Sequence, residues 1–133
     1  MDKKIVANFL HENLSYKIRG ACFAVYSAIG GGHKESVYQK ALALELEKVG
    51  IKFEREKTLN IFYEKEQVGT YKPDFIIEDQ VIIEMNAVPF VTKDFEVQLL
   101  NYLKATKLSL GFLINFGPSK VDIRRRVNFH NQG

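Results

Sequence analysis

The chain contains one cysteine, three prolines and no tryptophan in 133 residues. A lone thiol, Cys22, cannot close an internal disulfide, so a reducing compartment and a cytoplasmic location are expected. No hydrophobic run approaches the roughly 20 residues that cross a bilayer, and the opening MDKKIVANFL lacks the apolar core of a signal peptide. No membrane association is expected. Neither sign of charge dominates: 19 Lys+Arg against 16 Asp+Glu leave a net charge of +3, which permits contact with phosphates without demanding it. Repeats, linkers and low-complexity segments are missing, and the length suits a single domain over residues 1–133. His11, His33 and His130 do not group with cysteine at zinc-ligand spacing. Gly30, Gly31 and Gly32 lack the lysine and hydroxyl residue that complete a phosphate-binding loop, so a turn between helices is their expected use.

What is present is a hydrophobic fraction of 46% arranged in two periodicities. Leu14, Ile18, Cys22, Val25 and Ile29 recur every three or four residues, which predicts an amphipathic helix ending near Gly30. Cys22 lies on that stripe and reads as a small core residue. A second helix is expected from Ser36 to Val49, stopped by Gly50. IKFEREK, LNIFY, VGTYKPDFII and VIIEMNAV read as four strands, with a polar turn over Glu64–Gln67 and a join near Asp79 and Gln80. Thr92 is a suitable N-cap for a helix running to about Thr106, with Asp94 in its first turn. LSLGFLINF then predicts a buried strand and VDIRRRVNF a more exposed last one. The expected order is α-α-β-β-β-β-α-β-β, a mixed α+β or α/β domain.

VIIEMNAV, residues 81–88, carries a carboxylate, Glu84, inside an apolar run. Burying a carboxylate is unfavourable unless charge or hydrogen bonds compensate it. On a strand Glu84 and Asn86 share one face, as do Lys72 and Asp74 on the strand before. The hairpin loop decides whether these pairs meet. A three-residue loop, Glu78 to Gln80, sets Asp74 opposite Glu84 and Lys72 opposite Asn86; a two-residue loop turns them apart. In the first register two like charges crowd together, and a hard divalent cation such as Mg²⁺ or Mn²⁺ would relieve them. The plainer alternative is a pair of solvated acids at a sheet end. Glu35, at the start of the second helix, is explained by the helix dipole or by service as a third ligand.

At these residues the chain resembles a family. Gly32, Glu35 and Tyr38 match the Gly-x-x-Glu-x-x-Tyr signature of a group of small bacterial and archaeal proteins, similar to a branch of the PD-(D/E)xK nuclease superfamily. Pro73-Asp74 stands for the "PD" and Glu84-Met85-Asn86 for the "(D/E)xK". Gln98 and Tyr102 in QLLNY resemble the Gln-x-x-x-Tyr motif of RecB-like nucleases, and LGFLINFG resembles the closing strand, so the likeness spans roughly residues 15 to 128. It implies a three-layer restriction-endonuclease-like fold, a central mixed sheet flanked by helices. It also implies a metal held by Glu35, Asp74, Glu84 and the Met85 carbonyl, serving phosphodiester hydrolysis of DNA, with RNA also open and a homodimer suited to cutting both strands. Gln98 and Tyr102 would support the site.

Two positions depart from the family pattern. The motif lysine is Asn86, an amide that can hold a water but carries no charge. Lys72, from the neighbouring strand, or Lys93, at the start of the third helix, could supply the ammonium. Phe95 stands where family members often carry histidine. These departures keep a second hypothesis open, a catalytically inactive module of the same fold that binds nucleic acid or a protein partner. Among basic residues, Arg124 and Arg126 share one face of the last strand and Arg125 the other; with Lys120 they could grip a phosphate backbone, or they form a solvated edge. No zinc-finger or helix-turn-helix signature suggests sequence-specific reading.

Overall fold

The computed structural model describes residues 3–128, with the helix course alone for residues 3–10. Phe129 and His130 lie outside the described residues. The order is α1 (Lys3–Ile29), α2 (Glu35–Lys48), β1 (Phe53–Arg55), β2 (Leu59–Tyr63), β3 (Glu66–Tyr71), β4 (Phe75–Ile77), β5 (Val81–Asn86), α3 (Lys93–Thr106), β6 (Leu110–Phe116) and β7 (Val121–Val127).

Both N-terminal helices end as their glycines dictate. The Gly30 amide donates to Tyr26 O at 2.8 Å with φ +69°, and Gly50, at φ +74°, sits in a Schellman-type close with Gly50 N to Glu47 O at 3.1 Å and Ile51 N to Leu46 O at 3.0 Å. The stripe from Leu14 to Val25 faces inward as expected, but Ile29, its last member, is exposed.

β1-β4-β5-β6-β7 form one sheet. β5 and β6 run parallel; the other neighbours are antiparallel. β2 and β3 form a separate two-stranded sheet, closed by a two-residue turn in which Glu64 and Lys65 take φ +50° and +70°. That turn is tighter than the expected four residues, because Glu66 and Gln67 are already paired in β3. VGTYKPDFII is likewise not one strand. It breaks over Lys72, Pro73 and Asp74, since Pro73 has no N–H to give a ladder, and its halves join different sheets.

Strand alternation divides the core in two. Phe75, Ile77, Val81, Ile83, Met85, Phe112 and Ile114 pack beneath α1 and α2 with Ile18, Cys22, Tyr38, Leu42 and Leu46. Ile82 and Leu113 face the other way, onto Leu99 and Leu103 of α3 and Tyr71 of β3. The result is a five-stranded mixed sheet flanked by helices, the restriction-endonuclease-like architecture. Among the described residues no helix is long and apolar enough to cross a membrane.

Candidate functional site

The register settles the hairpin. Ile77 pairs with Val81 and Phe75 with Ile83, so the loop is the three-residue one, with Glu78 and Asp79 at φ +53° and +57°. Asp74 therefore stands where the β4–β5 ladder opens, beside Glu84. Its Oδ2 accepts the Met85 amide at 2.7 Å. The N–H and C=O of one strand residue point to the same side, so the Met85 carbonyl faces the same opening.

Glu84 lies on the α3 face of β5. Burial is the main force that pushes its carboxyl up to about 8; the charges of Asp74 and Glu35 add to the rise, and a hydrogen bond from the Tyr71 hydroxyl to Oε1 opposes it. Burial also raises Asp74, against the Met85 amide and the charge of Arg55, which lower it. Glu35, the first residue of α2, is raised by burial and then by Asp74. Gln39, one turn further along α2, links the acids: its Nε2 donates to Glu35 Oε1 at 3.2 Å and Asp74 Oδ1 at 3.4 Å.

Sequence reasoning missed Tyr71. It is buried at the end of β3, its ring stacked on Tyr102 with centroids 3.6 Å apart and planes 6° from parallel. Burial raises its phenol, and the Glu84 charge raises it further, so it stays a hydrogen-bond donor. Tyr102 thus reaches Glu84 through Tyr71. Gln98 is exposed and lines a surface groove with Phe95, Asn101 and Tyr102. Gln39 and Arg55 were also overlooked. Gln39 could have been found at the i+4 position from Glu35.

Asn86 sits on the Glu84 face, and its side chain makes no hydrogen bond among the described residues. Lys72 is not on β4 at all; it lies in the connector, exposed, and is not placed opposite Asn86 by any strand pairing. Lys93 and Lys120 are exposed at the start of α3 and on the β6–β7 turn. Arg124 and Arg126 adopt an arrangement that neither reading of the arginine run anticipated. Both reach Glu96 of α3, Arg124 at 2.9 Å, and Arg124 also grips Asp122 at 3.1 Å, so they bind β7 to the helix. His33 bonds Ile29 O at 2.7 Å through its ring, next to the Tyr38 hydroxyl that caps Gly30 O at 2.7 Å. The Gly-x-x-Glu-x-x-Tyr residues thus shape the α1–α2 connection: Gly32 turns at φ +88°, Glu35 opens α2 and Tyr38 is fully buried.

Glu35, Asp74, Glu84 and the Met85 carbonyl offer only oxygen, the donor chemistry a hard divalent cation accepts, and after burial the charges of the neighbouring acids raise Glu35 and Glu84 further. As the side chains stand, no three His, Cys, Asp or Glu among the described residues are gathered closely enough to hold a metal ion. Asp74 and Glu84 are neighbours, and Glu35 joins them through Gln39.

A sheet of this order with acids at the open end of β4 and β5 defines a nuclease-type scaffold. The model of the PD-(D/E)XK nuclease superfamily matches residues 12–126, and the chain belongs to that superfamily. A solved structure titled "Crystal structure of SSO0001" is similar in fold, with a TM-score of 0.53 and 18% sequence identity over 94% of this chain and 63% of that one. The chain thus spans less than two thirds of that protein's length. No curated protein matches.

Proposed function

We propose that the chain is a metal-dependent nuclease hydrolysing DNA phosphodiesters, a member of the GxxExxY group with RecB-like features in Gln98 and Tyr102. The observation that carries this is the meeting of two half-buried acids, Asp74 and Glu84, at the open end of the β4–β5 ladder, with Asp74 accepting the Met85 amide, in a chain of the nuclease superfamily. Glu35, Asp74, Glu84 and the Met85 carbonyl would hold Mg²⁺ or Mn²⁺, with Glu35 swinging in from its Gln39 contact. Such an ion would activate water and offset charge on the phosphate. Asn86 would hold the attacking water by its amide, with the exposed Lys72 in the same connector as Asp74. Tyr71, backed by Tyr102, aims the Glu84 carboxylate, and Gln98 faces the incoming strand from α3. Lys120 and the outer N–H groups of Arg124 and Arg126 would meet the DNA backbone.

The uncharged Asn86 favours a second reading, a module of the same fold that binds DNA, RNA or a protein without cutting. Losing a positioned charge at a developing anion costs about 10²- to 10³-fold in rate. Incubation of plasmid and single-stranded DNA with Mn²⁺ separates the two. Cleavage that disappears in Glu84→Ala supports the nuclease. If wild type fails to cleave and Asn86→Lys cuts, the inactive module is the correct description.

A further inference from the structure

Asn86 leaves the acids without a cation on their own strand, yet one is anchored beside them from another element. Arg55 ends β1 and pairs with Phe75, one residue from Asp74. Its guanidinium carbon lies 5.6 Å from the centroid of the Phe75 ring, and its Nη2 donates to Gln39 Oε1 at 3.4 Å. Gln39 therefore presents its NH₂ to Glu35 and Asp74 and its oxygen to Arg55. The opposite amide orientation would set oxygen against two carboxylates, so the network fixes the amide in one sense. The Glu56 amide, donating to Asp74 O at 3.3 Å, holds the end of β1 against the acid.

The charge of Arg55 is felt by Asp74 but is not closed into a contact ion pair. Arg124 and Arg126 are ion-paired to Glu96, and Lys57 to Glu54 and Asp79, whereas Arg55 makes no ion pair with a carboxylate among the described residues. Lys72, Lys93 and Lys120 are exposed without such an anchor. An exposed guanidinium has a fork of donors matched to phosphate oxygens, and only one of its N–H groups is taken by Gln39.

We infer that Arg55 is the phosphate-binding cation of this site, held at its rim by Gln39 and the Phe75 ring and contacting a non-bridging oxygen of the DNA strand that reaches Asp74 and Glu84. The inference rests on the nuclease-site reading above. Arg55 supplies from β1 the charge that Asn86 cannot carry, and Gln39 is its positioning residue.

The test is fluorescence anisotropy of a fluorescein-labelled DNA oligonucleotide in Ca²⁺ across a salt series, with cleavage in Mn²⁺ in parallel. Arg55→Gln should weaken binding by roughly five- to tenfold at low salt and lower the log K against log salt slope by about one. Arg55→Lys should keep the slope, since charge remains, and recover only part of the affinity, since the fork is lost. Mg²⁺ should raise the Tm of wild type, as a ligand of the native state does, and should raise that of Arg55→Gln as much. Unchanged affinity and slope in Arg55→Gln overturn the inference. So does a binding loss that comes with a lost Mg²⁺ response, because Arg55 would then be shaping the acids instead of meeting DNA. If Glu84→Ala stops cleavage while Arg55→Gln binds and cuts as wild type, the nuclease reading survives and Arg55 is idle. If wild type binds DNA but never cuts, the nuclease reading falls and the Arg55→Gln binding comparison still decides Arg55. A wild type that binds no DNA overturns both.

Discussion

The Tyr71 hydroxyl donates a hydrogen bond to the half-buried Glu84, and the carboxylate depends on that donor when charged. Tyr71→Phe leaves an ionised, poorly solvated Glu84 without its partner. The expected loss is about 1–2 kcal/mol in urea unfolding near pH 8.5, shrinking near pH 5, where the carboxyl is protonated and needs no donor. Glu84 also sets a pH dependence. Its folded pKa, about 8, lies above the ordinary 4.5, so the folded state favours the protonated form. The stability it lends the metal-free protein is whole below about pH 4.5 and is lost as pH rises through about 8. Asp74 and Glu35 are shifted the same way. Urea midpoints in EDTA should therefore fall across that window, and Glu84→Gln should flatten the fall; a midpoint that rises with pH would contradict it. The acids themselves were legible in the sequence, because a carboxylate within an apolar run signals its own exception. Tyr71 was not, because its contact with Glu84 joins two sheets, and no spacing within one strand encodes it.

At the scale of elements, two contacts hold the scaffold around the site, and each can be broken singly. Gly31, between α1 and α2, approaches the β6–β7 turn so closely that a Cβ there would lie 2.4 Å from Pro118 O. A backbone oxygen cannot rotate aside. Gly31→Ala should cost about 1–3 kcal/mol and lower Tm, while Gly30→Asn, at a left-handed position with open space, should cost far less. On the opposite layer Glu96 of α3 holds Arg124 and Arg126, and the hydrogen bond from Arg124 leads in keeping its carboxyl below the usual range. These side chains are partly solvated, so Glu96→Gln should cost less than about 1 kcal/mol at low salt and nearly nothing at high salt. Denaturation of the variant at both ionic strengths checks this. α1 and α2 were readable from periodicity and their stopping glycines, and α3 from Thr92 and Asp94 at its start. The strand excursion was not: β2 and β3 interrupt neighbours β1 and β4, and only Pro73 hinted that VGTYKPDFII would divide. Arg55 comes to Asp74 through that non-consecutive pairing, which is why the arginine run at 124–126 attracted attention in the sequence and Arg55 did not.

For the molecule as a whole, the candidate site draws on α2, β1, β3, β5 and α3 together with the connector before β4, so holding it together requires most of the fold. Cys22 offers a reporter of that cooperativity. It is fully buried between α1 and the sheet, and burial pushes its thiol up to about 12, so it is inert while the chain is folded. Labelling by a thiol reagent then requires opening of the α1 layer, and its rate follows the population of open molecules when closing is fast. A cation that binds the acids of the native state lowers that population by the factor 1 + [L]/Kd. Millimolar Mg²⁺ or Mn²⁺ should therefore slow Cys22 labelling, about tenfold for each 1.4 kcal/mol of stabilisation. The effect should be greater near pH 8.5 than near pH 6, because protons compete with the metal for the raised carboxyls of Glu84 and Asp74. Glu84→Gln should label at one rate with or without the ion. Equal slowing in that variant would place the ion elsewhere on the protein, and no slowing in wild type at either pH would mean that the acids gather no metal in the absence of DNA.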